Sequence, residues 1–143
     1  MQLSEYPAQE PISEFARAYA EKVMQLGANI KGEDVLYGAN PYQSLGIHKP
    51  LKGCGAVFMF IHGGGWTSGY KEWNNFMAPA FVNNDILFVT VGYRLAPTHL
   101  FPKVSMTVQM LSHGFITMLP NTVQIQIEYF WEDILRVVIM QVC

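Results

Sequence analysis

The chain has 143 residues, half of them hydrophobic and 14% charged, with a formal net charge of −2. That is one domain's worth of sequence with a core to bury, which excludes a disordered segment. The balanced charge leaves no electrostatic footprint for nucleic acid or an anionic membrane, and no apolar run reaches the roughly 18 residues of a membrane helix. Cys54 and Cys143 make neither a disulfide framework nor a metal site. The first fifteen residues lack the basic and apolar regions of a secretory signal, so a cytoplasmic, reducing location is expected.

Residues 1–32 form an N-terminal helical segment. Pro11 to Leu26 places Ile12, Phe15, Ala16, Tyr19, Val23 and Leu26 at helical spacing, which predicts one apolar face, and Gly27 reads as its stop. Asp34 to Tyr37 and Ser44 to His48 are short strands around the turn-rich GANPYQ, an antiparallel edge leading into the buried strand that follows. Ala56 to Ile61 is an apolar run ending in glycines, the pattern of a strand buried on both faces of a parallel sheet. It runs into His62-Gly63-Gly64-Gly65-Trp66, where three residues without Cβ let backbone N–H groups approach a ligand closely.

Gly69 to Asn83 is helical in pattern, with Trp73, Phe76, Met77 and Phe81 as core and Pro79 as an internal kink. Asn83-Asn84-Asp85 is turn chemistry, and Ile86 to Val91 is a second buried strand. Strand, helix, strand predicts a right-handed βαβ unit whose working site lies beyond the carboxyl ends of its strands. HGGGW and Gly92-Tyr93-Arg94-Leu95-Ala96-Pro97 both fall at that end.

These two motifs, some thirty residues apart, resemble the esterase branch of the α/β-hydrolases related to hormone-sensitive lipase. The YGANPYQSLGIHKP lead-in is also similar to arylformamidases and feruloyl-esterase-like members. The resemblance covers roughly Val35 to Pro102, so residues 33–102 read as the N-terminal part of an α/β-hydrolase domain. It departs from the family pattern at Gly46, His48, Thr98 and Leu100. The resemblance implies Gly64 and Gly65 as oxyanion-hole donors, supported by His62, Gly63, Trp66, Tyr93 and Arg94. It also implies a small-molecule ester or amide substrate, no cofactor and no metal. Nothing here sets an oligomeric state.

The family's nucleophile is a serine in G-x-S-x-G, followed by Asp or Glu and then His. Ser4, Ser13, Ser44, Ser68, Ser105 and Ser112 are the serines of this chain, and none stands in that setting. His99 and His113 lack a Ser/Asp framework and read as ordinary polar residues.

After Pro102 the pattern changes, and residues 103–143 carry four of the eight methionines and no sustained period. Single-codon residues test a shifted frame directly. Met106-Thr107 forces an Asp codon, Trp131-Glu132 a Gly codon and Met140-Gln141 an Ala codon. With permitted wobble bases the shifted tail spells D-P-D-R-I and then G-H-S-A-G, in the family's order. The expectation is an α/β fold interrupted before its nucleophile, with an out-of-frame tail that has no defined fold, apolar surface left exposed, and no activity. The alternative is a non-catalytic binding or interaction protein of the same fold. In that reading Ile125 to Phe130 is a strand and Phe130 to Met140 an amphipathic helix.

Overall fold

A computed structural model of the chain describes residues 2–53 and 55–99 and, for residues 123–128 and 136–142, the backbone. Its strands are β1 (Glu33–Leu36), β2 (Ser44–His48), β3 (Ala56–Ile61), β4 (Ile86–Val91), β5 (Val123–Glu128) and β6 (Arg136–Val142). They form one sheet in the order β1-β2-β4-β3-β6-β5. β1 and β2 make the expected antiparallel edge. β3 and β4 are parallel neighbours, with Val57 opposite Leu87 and Ile61 opposite Val91. The first four strands are thus a mixed sheet of α/β type. The edge pair does not lead onto β3, however: β2 bonds antiparallel to β4, Leu45 opposite Val91.

The alternation along each strand sorts the core by face. Leu45, Val57, Met59, Ile61, Val89 and Val91 share one cluster. Phe60 and Phe88 belong to the other, with Phe58, Met77, Ala78 and Phe81 packed around them. Phe81 stacks on Phe58 at 4.3 Å and on Phe88 at 4.7 Å between ring centroids. The crossover carrying Phe81 is not one kinked helix. It is a 3-10 helix over Lys71–Met77 followed by helix α2 over Ala78–Val82. Pro79 falls in the first turn of α2, where a missing N–H has no intrahelical partner to lose.

Helix α1 spans Glu14–Gly27, and Ser13 caps it by accepting from the Ala16 N–H at 3.2 Å. Its buried residues are Ala20 and Val23, whereas Phe15 is 85% exposed and Tyr19 and Leu26 also face water. The expected apolar face is therefore corrected. α1 packs on the 3-10 helix through its small residues, so closely that a Cβ on Gly27 would sit 3.4 Å from the Phe76 nitrogen. Close approach selects Ala16, Ala20, Val23 and Gly27, one stripe at helical spacing, over the bulky stripe beside it.

In the C-terminal stretch, β6 pairs antiparallel along β3, from Ala56 opposite Gln141 to Ile61 opposite Arg136, and β5 pairs with β6. β5 overlaps the alternating stretch noted in the sequence. The expected helix over residues 130–140 is corrected where it is described, since residues 136–142 are extended. Val137, Val138 and Ile139 are β-branched, and the edge of β3 offers them a ladder. Residues 103–122, where the out-of-frame reading begins, and His113 with them, lie outside the described residues.

Candidate functional site

Parallel register sets the stage: Ile61 lies opposite Val91, so His62 and Gly92 leave the sheet side by side at its carboxyl rim. The loop after His62 then turns through backbone angles that L-residues rarely adopt. Gly64 has φ +129°, Gly65 +61° and Gly69 +110°, and Trp66 joins them at +67°. At Gly64 the demand is also steric, because a Cβ there would meet the Ser68 carbonyl oxygen at 1.9 Å. The turn is closed on the Gly64 carbonyl, which accepts from the N–H groups of Thr67 at 3.2 Å and Ser68 at 3.1 Å. The Ser68 hydroxyl donates to the same oxygen at 3.0 Å, so this buried serine braces the loop.

With the carbonyl of Gly64 so occupied, the N–H groups of Gly64 and Gly65 donate to no acceptor among the described residues. Gly65 is exposed. The loop therefore presents two adjacent donors at the end of a buried strand. Such a pair can hold an anion or a polarised carbonyl oxygen.

His62 is buried beneath this loop, with Nδ1 donating to the Gly63 carbonyl at 2.7 Å. Burial drives its pKa down to about 4, only partly opposed by that hydrogen bond, so the ring is neutral near pH 7. Nε2 has no partner among the described residues. The imidazole stacks on Tyr93 at 4.3 Å and 17°, and the Tyr93 hydroxyl donates back to the His62 carbonyl at 2.8 Å. A third tie runs from the Ala96 N–H to the Trp66 carbonyl at 2.9 Å, with the Trp66 ring edge-on to Tyr93. HGGGW and GYRLAP, separate in sequence, are thus one bonded unit.

The neighbouring segment is held in turn by the antiparallel edge. Gly92 donates to the Ser44 carbonyl at 2.9 Å and accepts from the Tyr37 hydroxyl at 2.5 Å. Burial raises the Tyr37 phenol above its ordinary range, and the nearby Arg94 charge opposes that rise. Arg94 itself is partly buried. His99 lies off the site, near the Asn40 amide.

Sequence reasoning missed a second layer behind the loop. Lys71, 2% exposed, reaches Asp34 and Glu72, both at 2.6 Å. The Tyr6 hydroxyl donates to the same Glu72 oxygen at 2.8 Å. Burial and then the Glu72 charge push the Tyr6 phenol up; at Asp34 burial also acts upward, but opposing contributions, the Lys71 hydrogen bond and charge among them, together leave that carboxyl below its usual value. Gln9 brackets Gly69, its amide nitrogen donating to the Gly69 carbonyl and its oxygen accepting from the Gly69 N–H, each at 2.8 Å. No local signal marks any of these residues, since every partner but one lies more than thirty positions away.

A cleft of about 390 Å³ opens on the other side of the ion cluster, lined by Met24, Ile30, Asp34, His48, Lys71 and Asn75 among others, and by no residue of the glycine loop. His48 bonds Asn75 there at 3.2 Å, and burial lowers its pKa. Among the described residues no three His, Cys, Asp or Glu side chains converge as metal ligands. Nor is any helix there long and apolar enough to cross a membrane.

Residues 58–111 match a family model described as the alpha/beta hydrolase fold. An isoprenylcysteine alpha-carbonyl methylesterase of Arabidopsis thaliana is 31% identical over 65 residues, 44% of this chain and 15% of that protein. A probable carboxylesterase 11 of the same plant is 38% identical over 72 residues, 48% of this chain and 15% of that protein. In three dimensions, a crystal structure of a Silicibacter protein described as a thioesterase superposes with a TM-score of 0.65 at 15% identity. It covers 82% of this chain and 47% of that one, a likeness of fold alone. The matched stretch spans 15% of the length of either plant relative.

Proposed function

Because this chain carries part of an α/β-hydrolase domain related to esterases and carboxylesterases, we propose that it derives from a serine hydrolase acting on carboxylic esters or formamides by acyl transfer. In the intact reaction a serine attacks the carbonyl, a histidine takes its proton, and the N–H groups of Gly64 and Gly65 hold the oxyanion until the acyl-enzyme is hydrolysed. The observation that carries this reading is the pair of donors, without a partner among the described residues, on a glycine turn at the sheet rim. His62 is neutral, bonded to Gly63 and stacked on Tyr93, which suits it to shape the turn.

This chain holds no serine in G-x-S-x-G, and on that ground we infer that it is inactive as it stands. Loss of one oxyanion donor costs about 10²–10³ in rate, whereas loss of the nucleophile removes the covalent route. Incubation with a fluorophosphonate probe, p-nitrophenyl butyrate and N-formylkynurenine is expected to give neither labelling nor hydrolysis. A labelled serine would overturn the inactive reading. Reading the gene across the codons of Phe101 to Ser105 tests the out-of-frame tail: Glu132 to Arg136, one base earlier, should spell Gly-His-Ser-Ala.

A second reading, a non-catalytic binding or interaction protein of the same fold, is favoured by one observation. β6 pairs along the whole of β3. An unshifted gene would select it.

A further inference from the structure

The N-terminal segment lies outside the family match, yet it touches the glycine loop at the loop's exit. We propose that Gln9 is a positioning residue for the Gly64 and Gly65 donors, and that the segment from Tyr6 to Gln9 is a strap that fixes the loop's shape. This rests on the reading of those donors as an anion cradle. The Gln9 amide meets both backbone groups of Gly69 at 2.8 Å, as a neighbouring strand would. Gly69 is the point through which that restraint reaches the donors. It is buried and so close to the motif that a Cβ would lie 2.5 Å from His62 Nδ1 and 2.6 Å from the Gly63 carbonyl oxygen. The residue before it, Ser68, sits against Gly64 and closes the turn. A shift of Gly69 therefore pushes His62, Gly63 and Gly64 together, and with them the directions of the two N–H groups.

The strap is anchored just ahead of Gln9, at Tyr6 and Pro7. The Tyr6 ring packs on Tyr42 at 4.8 Å and on Tyr70 at 5.1 Å, and its hydroxyl bonds Glu72. The Tyr42 hydroxyl donates to the Pro7 carbonyl at 2.7 Å. The Gln9 side chain also hydrogen-bonds the Tyr42 hydroxyl, whereas the Tyr6–Tyr70 contact and the Tyr6–Glu72 bond do not involve Gln9 and hold the segment when it is replaced, which separates positioning from folding.

The test uses the full chain labelled with ¹⁵N-glycine. In Gln9→Met, which keeps the shape and loses both hydrogen bonds to Gly69, the order parameters of Gly64 and Gly65 are expected to drop from about 0.85 to below about 0.6. Gly92, bonded to Ser44, is expected to keep its value and reports that the sheet is intact. Binding of butyrate, read from the Gly64 and Gly65 shifts, is expected to weaken at least about tenfold, a loss of about 1.4 kcal/mol. Gln9→Glu keeps an acceptor for the Gly69 N–H and is expected to fall between the two, deciding the matter if Gln9→Met also disturbs Gly92. Rigid Gly64 and Gly65 beside a loosened Gly69 would overturn the strap. Wild-type Gly64 and Gly65 unmoved by butyrate would instead overturn the anion cradle, leaving the order parameters to judge the strap alone.

Discussion

The loop from His62 to Gly69 and the helix from Glu14 to Gly27 are specified in opposite ways. In the loop, exclusion does the work: at Gly64 and Gly69 a positive φ comes with a Cβ collision, against the Ser68 oxygen at 1.9 Å and His62 Nδ1 at 2.5 Å, and leaves one permitted residue type. In the helix, two stripes of side chains compete for the core, and the smaller one wins because the 3-10 helix approaches closely. A loop fixed by what cannot fit is readable from its glycines. A helix fixed by what happens to pack against it is readable as a helix and no further.

The sharpest way to break this contrast is Gly64→Ala. It combines a strained φ with a collision against backbone, and is expected to cost at least about 3 kcal/mol in urea denaturation. A cost below about 1 kcal/mol would mean the turn tolerates a side chain. Next comes acid. His62 is held near pKa 4 in the fold against about 6.5 when unfolded, so the unfolded chain takes up the proton first. Its contribution is complete above about pH 6.5 and is lost as pH falls to about 4, on the order of 3 kcal/mol. Denaturation midpoints across that window should fall for wild type and flatten in His62→Gln. The residual slope belongs to His48, whose pKa is lowered in the same direction.

On the helix the effects are smaller and divide by stripe. Val23→Ala, at a buried position, is expected to cost about 1–3 kcal/mol. Phe15→Ser, on the exposed stripe, is expected to change stability by less than about 0.5 kcal/mol. Equal losses at the two positions would show that Phe15 is covered in solution.

Legibility in the sequence followed the same division. The limits of β2, β3 and β4 coincide with the alternating or apolar runs that announce them, because burial on one or both faces leaves a period of two or an unbroken run. The meeting of HGGGW and GYRLAP was legible too, since both follow strands that a short crossover makes parallel. The buried ion cluster was not. Lys71 and Glu72 look like a solvent-facing pair until Asp34 and Tyr6 arrive from the far end of the chain. Nor did Pro79 reveal that it begins a helix rather than bending one, because both are compatible with the same spacing. The partner of β2 was equally hidden, for an antiparallel edge is silent about which parallel strand it joins.

The enclosure of Lys71 gives the molecule an internal gauge. Its side chain is 2% exposed with the ammonium held between two carboxylates, whereas the Lys49 side chain is 64% exposed. Under limited acylation by an amine-reactive ester, Lys49 should be tagged early and Lys71 last. Peptide mass mapping of Lys71 would then count how often the wedge between strap, sheet edge and crossover springs apart, with no dye, probe or substitution added.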